Sequence, residues 1–224
     1  MTVRQLDNPK QCRVGTKSIS VGISSVALDA DVIINLPKFK AHQQLVATFA
    51  VKNMFGCVSG KRKALWHFTK GHNQDEFCEL LIDIYKYLNP AVTIIDAVTA
   101  MDSRGPIRGR ARPLGWLIGG TDPIACETIC AKMVNIVPEN VPIINTAKQI
   151  GFGCQDPAKI TIAGDDFPQS VCTDFELPEI IPIRFSLLHV CKSICKQILL
   201  MIKSAAKILV AEKAEKITKQ NNKQ

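Results

Sequence analysis

DVIINLPKFKAH, residues 31–42, decides how the rest of the chain reads. Its first half is a short β-branched apolar run closed by Pro37, the pattern of a buried strand. Past the proline, Lys38, Lys40 and His42 recur at period two, so an extended backbone points all three to one side. Cations gathered at a strand end attract a carboxylate, a phosphate or another anion. Beside a desolvating wall they can also depress a lysine enough to make it a base. The plain alternative is a solvated basic loop.

Downstream, LVATFAVKNMFGCV (45–58) has helical spacing of Leu45, Phe49, Val51 and Met54, with Lys52 and Asn53 interrupting the apolar face. A basic loop (61–74) holds His67 and His72. Asp75 then opens an amphipathic helix that Asn89-Pro90 ends. AVTIIDAVTAM (91–101) reads as a strand buried on both faces. Its lone carboxylate, Asp96, is expensive unless partnered; it suits a general base, a metal ligand or an acceptor for the loop that follows. SRGPIRGRARP (103–113) reads as a turn-rich loop with Asp102 exposed at its start. Gly105 and Gly109 permit close backbone approach there, but the pattern matches neither the dinucleotide fingerprint nor the P-loop.

LGWLIGG (114–120) is a further strand. Asp122 caps a helix with Pro123 at its first position, running to about Asn135, and helix N-termini bind anions. A second helix covers roughly 140–150, and KITIAG (159–164) reads as a last strand. Upstream, residues 1–30 are weakly patterned, with a short helix over Val21–Leu28. Strands alternating with helices predict an α/β fold with a mostly parallel sheet and flanking helices. The expected organisation is an α/β domain over 1–166, a Pro-rich linker over 167–185, and a long basic amphipathic C-terminal helix with a polar tail over 186–224.

The composition agrees with a globular domain. Of 224 residues, 46% are hydrophobic and 21% charged, which excludes disordered and fibrous classes. The net charge of +8 is carried almost wholly by residues 184–224, so the body is no nucleic-acid binder. No apolar run reaches the roughly 18 residues of a membrane span. The lysine stripe of the C-terminal helix allows membrane contact that is at most peripheral. The nine cysteines are odd in number and widely spaced, with no secretory signal ahead of them, so reduced thiols and a cytoplasmic location are expected. Cys126 and Cys130 share one helical face, as do Cys191 and Cys195, and read as small buried hydrophobes. No CxxC occurs, so no metal site is assigned and no iron–sulfur cluster is expected within this chain.

Taken in order, DVIINLPKFKAH, AVKNMFG, NPAVTIIDAVTAMDSRGPIRG and IGGTDPIACETICAKM resemble the bacterial and archaeal family called domain of unknown function 362, over about residues 29–164. Many members carry a ferredoxin-like domain with two four-iron clusters, so the resemblance implies a redox-linked or cofactor-related role. It places Lys38, Lys40, His42, Lys52, Asn53, Asp96, Gly105, Pro106, Gly109, Asp122 and Pro123 at the family's motif positions. Two departures stand out. Only about 30 residues precede the first motif, where the family has a longer α/β stretch, and the cluster module is missing. The acid of the aspartate–proline motif survives only as Glu127. A short form of this kind is expected to expose a strand edge or apolar sheet face. It is also expected to need a partner: a ferredoxin-like chain, an N-terminal chain or a second copy.

The leading expectation is an anion- or cofactor-binding site. His42, Lys52 and Asp96 are its candidate catalytic residues, suited to proton abstraction beside a carbonyl. Lys38, Lys40, Asn53, Gly105, Gly109 and Asp122 are its candidate anion-binding residues. The alternatives are a non-catalytic binding or scaffold subunit, or a peripheral membrane-surface protein.

Overall fold

The computed structural model describes residues 2–58, 66, 70–71, 73–165 and 172–183. The C-terminal helix over 186–224, His67, His72, Cys191 and Cys195 lie outside the described residues. The described elements are β1 (Pro9–Val14), β2 (Ile19–Ser24), α1 (Ser25–Leu28), β3 (Ile34–Asn35), β4 (Lys38–His42), β5 (Val46–Thr48), α2 (Val51–Met54), α3 (Gln74–Leu88), β6 (Val92–Arg104), β7 (Arg108–Gly120), α4 (Pro123–Met133) and α5 (Pro142–Gln149). Short 3-10 turns follow α2, precede α5 and close the segment at 157–159.

The fold is α/β, but its sheet is mixed rather than mostly parallel. β3 and β4 lie end to end along one edge of β6 and run parallel to it. β5 turns back antiparallel on β4, and β7 pairs antiparallel with the other edge of β6. The reason is the length of the β6–β7 connection. Only Gly105, Pro106 and Ile107 separate the two strands, whereas a parallel return needs a crossover of a dozen or more residues. Most of the stretch expected as a loop, 103–113, is therefore strand, forming a hairpin that extends over residues 92–120. Pro113 fits within it because β7 is an edge strand.

Helix expectations hold where caps are clear. α3 begins after Asn73, whose side chain accepts from the backbone N–H groups of Asp75 and Glu76. It ends at Asn89 in the left-handed region (φ 43°). α4 starts on Asp122 and Pro123 as the sequence predicts. Residues 45–58 instead divide into β5, α2 and a 3-10 turn, and Val21–Leu28 into the end of β2 and the single turn α1. KITIAG carries the alternation of a strand but pairs with nothing in the described sheet.

Among the described residues, β6 is packed on one face and largely exposed on the other. Thr93, Ile95 and Ala97 are buried, and α3 reaches this face through the Tyr85 hydroxyl, 2.8 Å from Thr93 Oγ1. Ile94 and Val98 alternate with them and are exposed, as are Ile34 of β3, Leu117 of β7 and Leu36 in the link between β3 and β4. The β6 run is thus half-buried by alternation, not buried on both faces.

Residues 172–183 form no helix or strand but lie against the body. Phe175 is buried with its ring 5.8 Å from that of Phe39. Ile181 N–H donates to Gln43 O, and the Gln44 side chain donates to the carbonyls of Pro182 and Ile183.

Candidate functional site

β4 alternates as its sequence requires. Phe39 and Ala41 are in the core, while Lys38, Lys40 and His42 share the opposite side. These three line a cavity of about 290 Å³ together with Lys52 and Asn53 of α2, and with Thr48, Phe49, Phe55 and Pro106. The chain turns back into β5 through a tight γ-turn in which Ala47 N–H donates to Leu45 O at 2.6 Å. Its central residue, Val46, has φ 63°, a costly backbone conformation for a β-branched side chain. This compression puts Thr48 directly opposite Lys40 in the ladder.

α2 is only four residues long and has no cap of its own. It is held from outside. Val51 N–H donates to Glu127 Oε1 of α4 at 2.8 Å. Asn35 of β3 donates to Ala50 O at 3.0 Å and accepts from the Asn53 amide at 2.8 Å. Asn35 also donates to Thr93 Oγ1, so one buried amide joins β3, β6 and α2. Lys52 is directed over the Phe55 ring, 4.5 Å from its centroid.

Among the candidate catalytic groups, Asp96 lies opposite Lys38 in the β4–β6 ladder. It takes the Lys38 ammonium at 2.6 Å and the Val98 N–H at 3.1 Å. The hydrogen bond from Lys38 holds its carboxyl below the usual carboxylate range. His42 Nδ1 accepts from Gln44 N–H at 3.1 Å, so the proton of the neutral ring sits on Nε2. In that tautomer the imidazole offers a donor, not a base.

The remaining candidates fall elsewhere. Gly105 is pressed against β4, where a Cβ would overlap Ala41 O, and its carbonyl accepts from Gln43 N–H. Gly109 packs against Met101 and the Asp102 carbonyl. Asp122 is a helix cap. Its Oδ1 takes the N–H groups of Ile124 and Ala125, and its Oδ2 takes that of Cys154. It lines a separate cavity along β7 and is not brought to the lysines.

Asp102, expected exposed, is fully buried. It accepts from Arg110 Nε and Nη2 at 3.2 and 3.1 Å and from Arg112 Nε at 2.9 Å. The loop reading missed it because pairing in the hairpin puts Arg110 opposite Asp102. Cys126 and Cys130 are buried, and burial pushes the Cys126 thiol up to about 11. Among the described residues, no group of three His, Cys, Asp or Glu side chains is placed to hold a metal ion.

A mixed sheet packed by helices on one face, with cations collected on a cavity beyond its second strand, defines an α/β domain with a basic pocket. By its sequence the chain belongs to the family described as Domain of unknown function (DUF362), whose model matches residues 2–132. A thylakoid-associated protein of Synechocystis sp. (strain ATCC 27184 / PCC 6803 / Kazusa) is 35% identical over 175 residues, 78% of this chain and 54% of the relative. The chain therefore spans about half the length of that curated relative. No solved structure matches it. Among the described residues, no helix is long and apolar enough to cross a membrane.

Proposed function

We propose that this domain binds a small anionic ligand in the cavity between β4, β5 and α2. The observation that carries the reading is the convergence of Lys38, Lys40, His42 and Lys52 on one space of about 290 Å³. Asp96 engages Lys38, while Lys40 faces the cavity from the middle of β4. The polar groups argue for binding over proton abstraction: Asp96 is a weakened base, and His42 Nδ1 is already occupied. The redox or cofactor setting that the family resemblance implies fits a pocket of this charge, and a ferredoxin-like partner chain belongs to the same proposal.

Lys40→Ala tests it. Removing this ammonium is expected to weaken anion binding about tenfold in titration calorimetry, the equivalent of about 1.4 kcal/mol. The thermal midpoint should stay nearly unchanged, because a charge is removed and no core is lost. Unaltered affinity would overturn the reading.

A second reading, association with a membrane surface, is favoured by the name of the thylakoid-associated relative and by the exposed apolar side chains of Ile34, Leu36, Ile94, Val98 and Leu117. It expects the protein to float with lipid vesicles. Protein left at the bottom of the gradient removes it.

A further inference from the structure

We infer that the Thr48 hydroxyl is a ligand-binding group of this cavity and that, with Lys40, it selects a compact oxyanion. The inference rests on the anion-binding reading above and names the ligand class. Thr48 is 2% exposed, and its Oγ1 has no hydrogen-bond partner among the described residues. A buried hydroxyl without a partner costs free energy. An apolar residue of the same shape, valine, would avoid that cost at this β-branched strand position.

Its placement gives the cost a purpose. Thr48 lines the cavity and is the register partner of Lys40 across the β4–β5 ladder. Side chains so paired start about 5 Å apart on one face, close enough for an ammonium and a hydroxyl to grip one group. The strained turn at Val46 is what brings this pair into register, and strain of that kind collects where a site needs it.

The donor set then defines the ligand. Three lysine ammonium groups, Lys38, Lys40 and Lys52, line the cavity, the first of them already held by Asp96, and His42 lines it with its Nδ1 accepting from Gln44 N–H. Ammonium groups donate, and the Thr48 hydroxyl beside Lys40 can do the same, so the matching ligand group is an acceptor: a carboxylate or a phosphate. The space is at the low end of ligand pockets, which run from about 300 Å³ upward. Phe49 and Phe55 give it apolar walls. A small body bearing one oxyanion fits; a dinucleotide does not.

The test compares Thr48→Val and Thr48→Ser with the full-length protein, titrating inorganic phosphate and acetate separately at constant ionic strength. The oxyanion that binds identifies the class, phosphate or carboxylate. Thr48→Val is expected to weaken binding of that probe about tenfold while holding or raising the thermal midpoint, because the unpaired hydroxyl is gone. Thr48→Ser keeps the hydroxyl and should retain affinity. Wild-type affinity in Thr48→Val would overturn the inference and leave the lysine reading standing. A Thr48→Val protein that no longer folds would also overturn it, since the hydroxyl would then be structural. Failure of the unaltered protein to bind either probe would sink both readings together.

Discussion

Replacing Asp102 with alanine is expected to lower the unfolding free energy by about 3 kcal/mol. The carboxylate is fully buried and shared by two guanidinium groups, with the Ser103 hydroxyl as a further donor at 3.2 Å. Its removal takes a shared acceptor from two guanidinium groups, Arg110 half exposed and Arg112 half-buried, and leaves a space in the hairpin. The loss falls at the lower end of the range because each arginine keeps a second acid: Glu176 for Arg110 and Asp174 for Arg112. Burial works against the charged form of Asp102, but the hydrogen bonds from Arg110 and Arg112 outweigh it and hold the carboxyl below its usual range. A depressed carboxyl contributes stability above its unfolded value, near 4, and that stability is lost as the pH falls through the folded value. Denaturant titration of Asp102→Ala should thus show both a lower plateau at neutral pH and a shallower acid limb. A loss under about 1 kcal/mol would mean that the hairpin end is held by something other than this carboxylate.

Glu127 should produce the opposite pH dependence in a different window. Burial pushes its carboxyl up to about 7, against the pull of the backbone N–H groups of Val51 and Ala50. Its second oxygen, Oε2, has no partner among the described residues. With the folded value above the unfolded one, the native state binds the extra proton, so stability falls as the pH rises from about 4.5 to about 7. The decline due to this group is on the order of 3 kcal/mol. Glu127→Gln keeps an oxygen for the Val51 N–H and carries no charge at any pH. Its stability should be flat across that window, overtaking the unaltered protein above neutrality. Parallel curves for the two proteins would contradict the assignment. Because Glu127 holds the start of α2, ligand affinity at the cavity should follow the same titration.

Much of the site was legible because alternation is a strong signal. Lys38, Lys40 and His42 at period two shared a face in the sequence and share one in the fold. The Lys52–Asn53 pair was legible as an interruption of apolar spacing. Thr48 was not, since a threonine in an apolar run reads as one more β-branched filler, and only the ladder shows it opposite Lys40. Asn35 had a signal that went unused: an amide inside DVIINLP has no place in a buried strand unless it ties to something. Strand direction was the larger miss. Arg108–Pro113 is rich in arginine, glycine and proline, so it hid the hairpin that makes the sheet mixed. KITIAG shows the converse, a β pattern with no neighbour to pair with among the described residues.

The four-residue helix that carries Lys52 has a consequence for finding the ligand. Helices shorter than about 12 residues do not persist alone in water, so α2 depends on the folded body: on the hydrogen bonds from Glu127 and Asn35 and on the burial of Val51 and Met54. An unfolded chain holds no remnant of the pocket. Whatever occupies the cavity therefore occupies the native state alone, and mass action converts that preference into resistance to heat. At a hundred times its dissociation constant, a bound compound adds about 2.7 kcal/mol. A collection of small biological acids can be sorted by melting alone, with no assay and no guess at a reaction, and the compound that keeps the protein folded longest names the chemistry it serves.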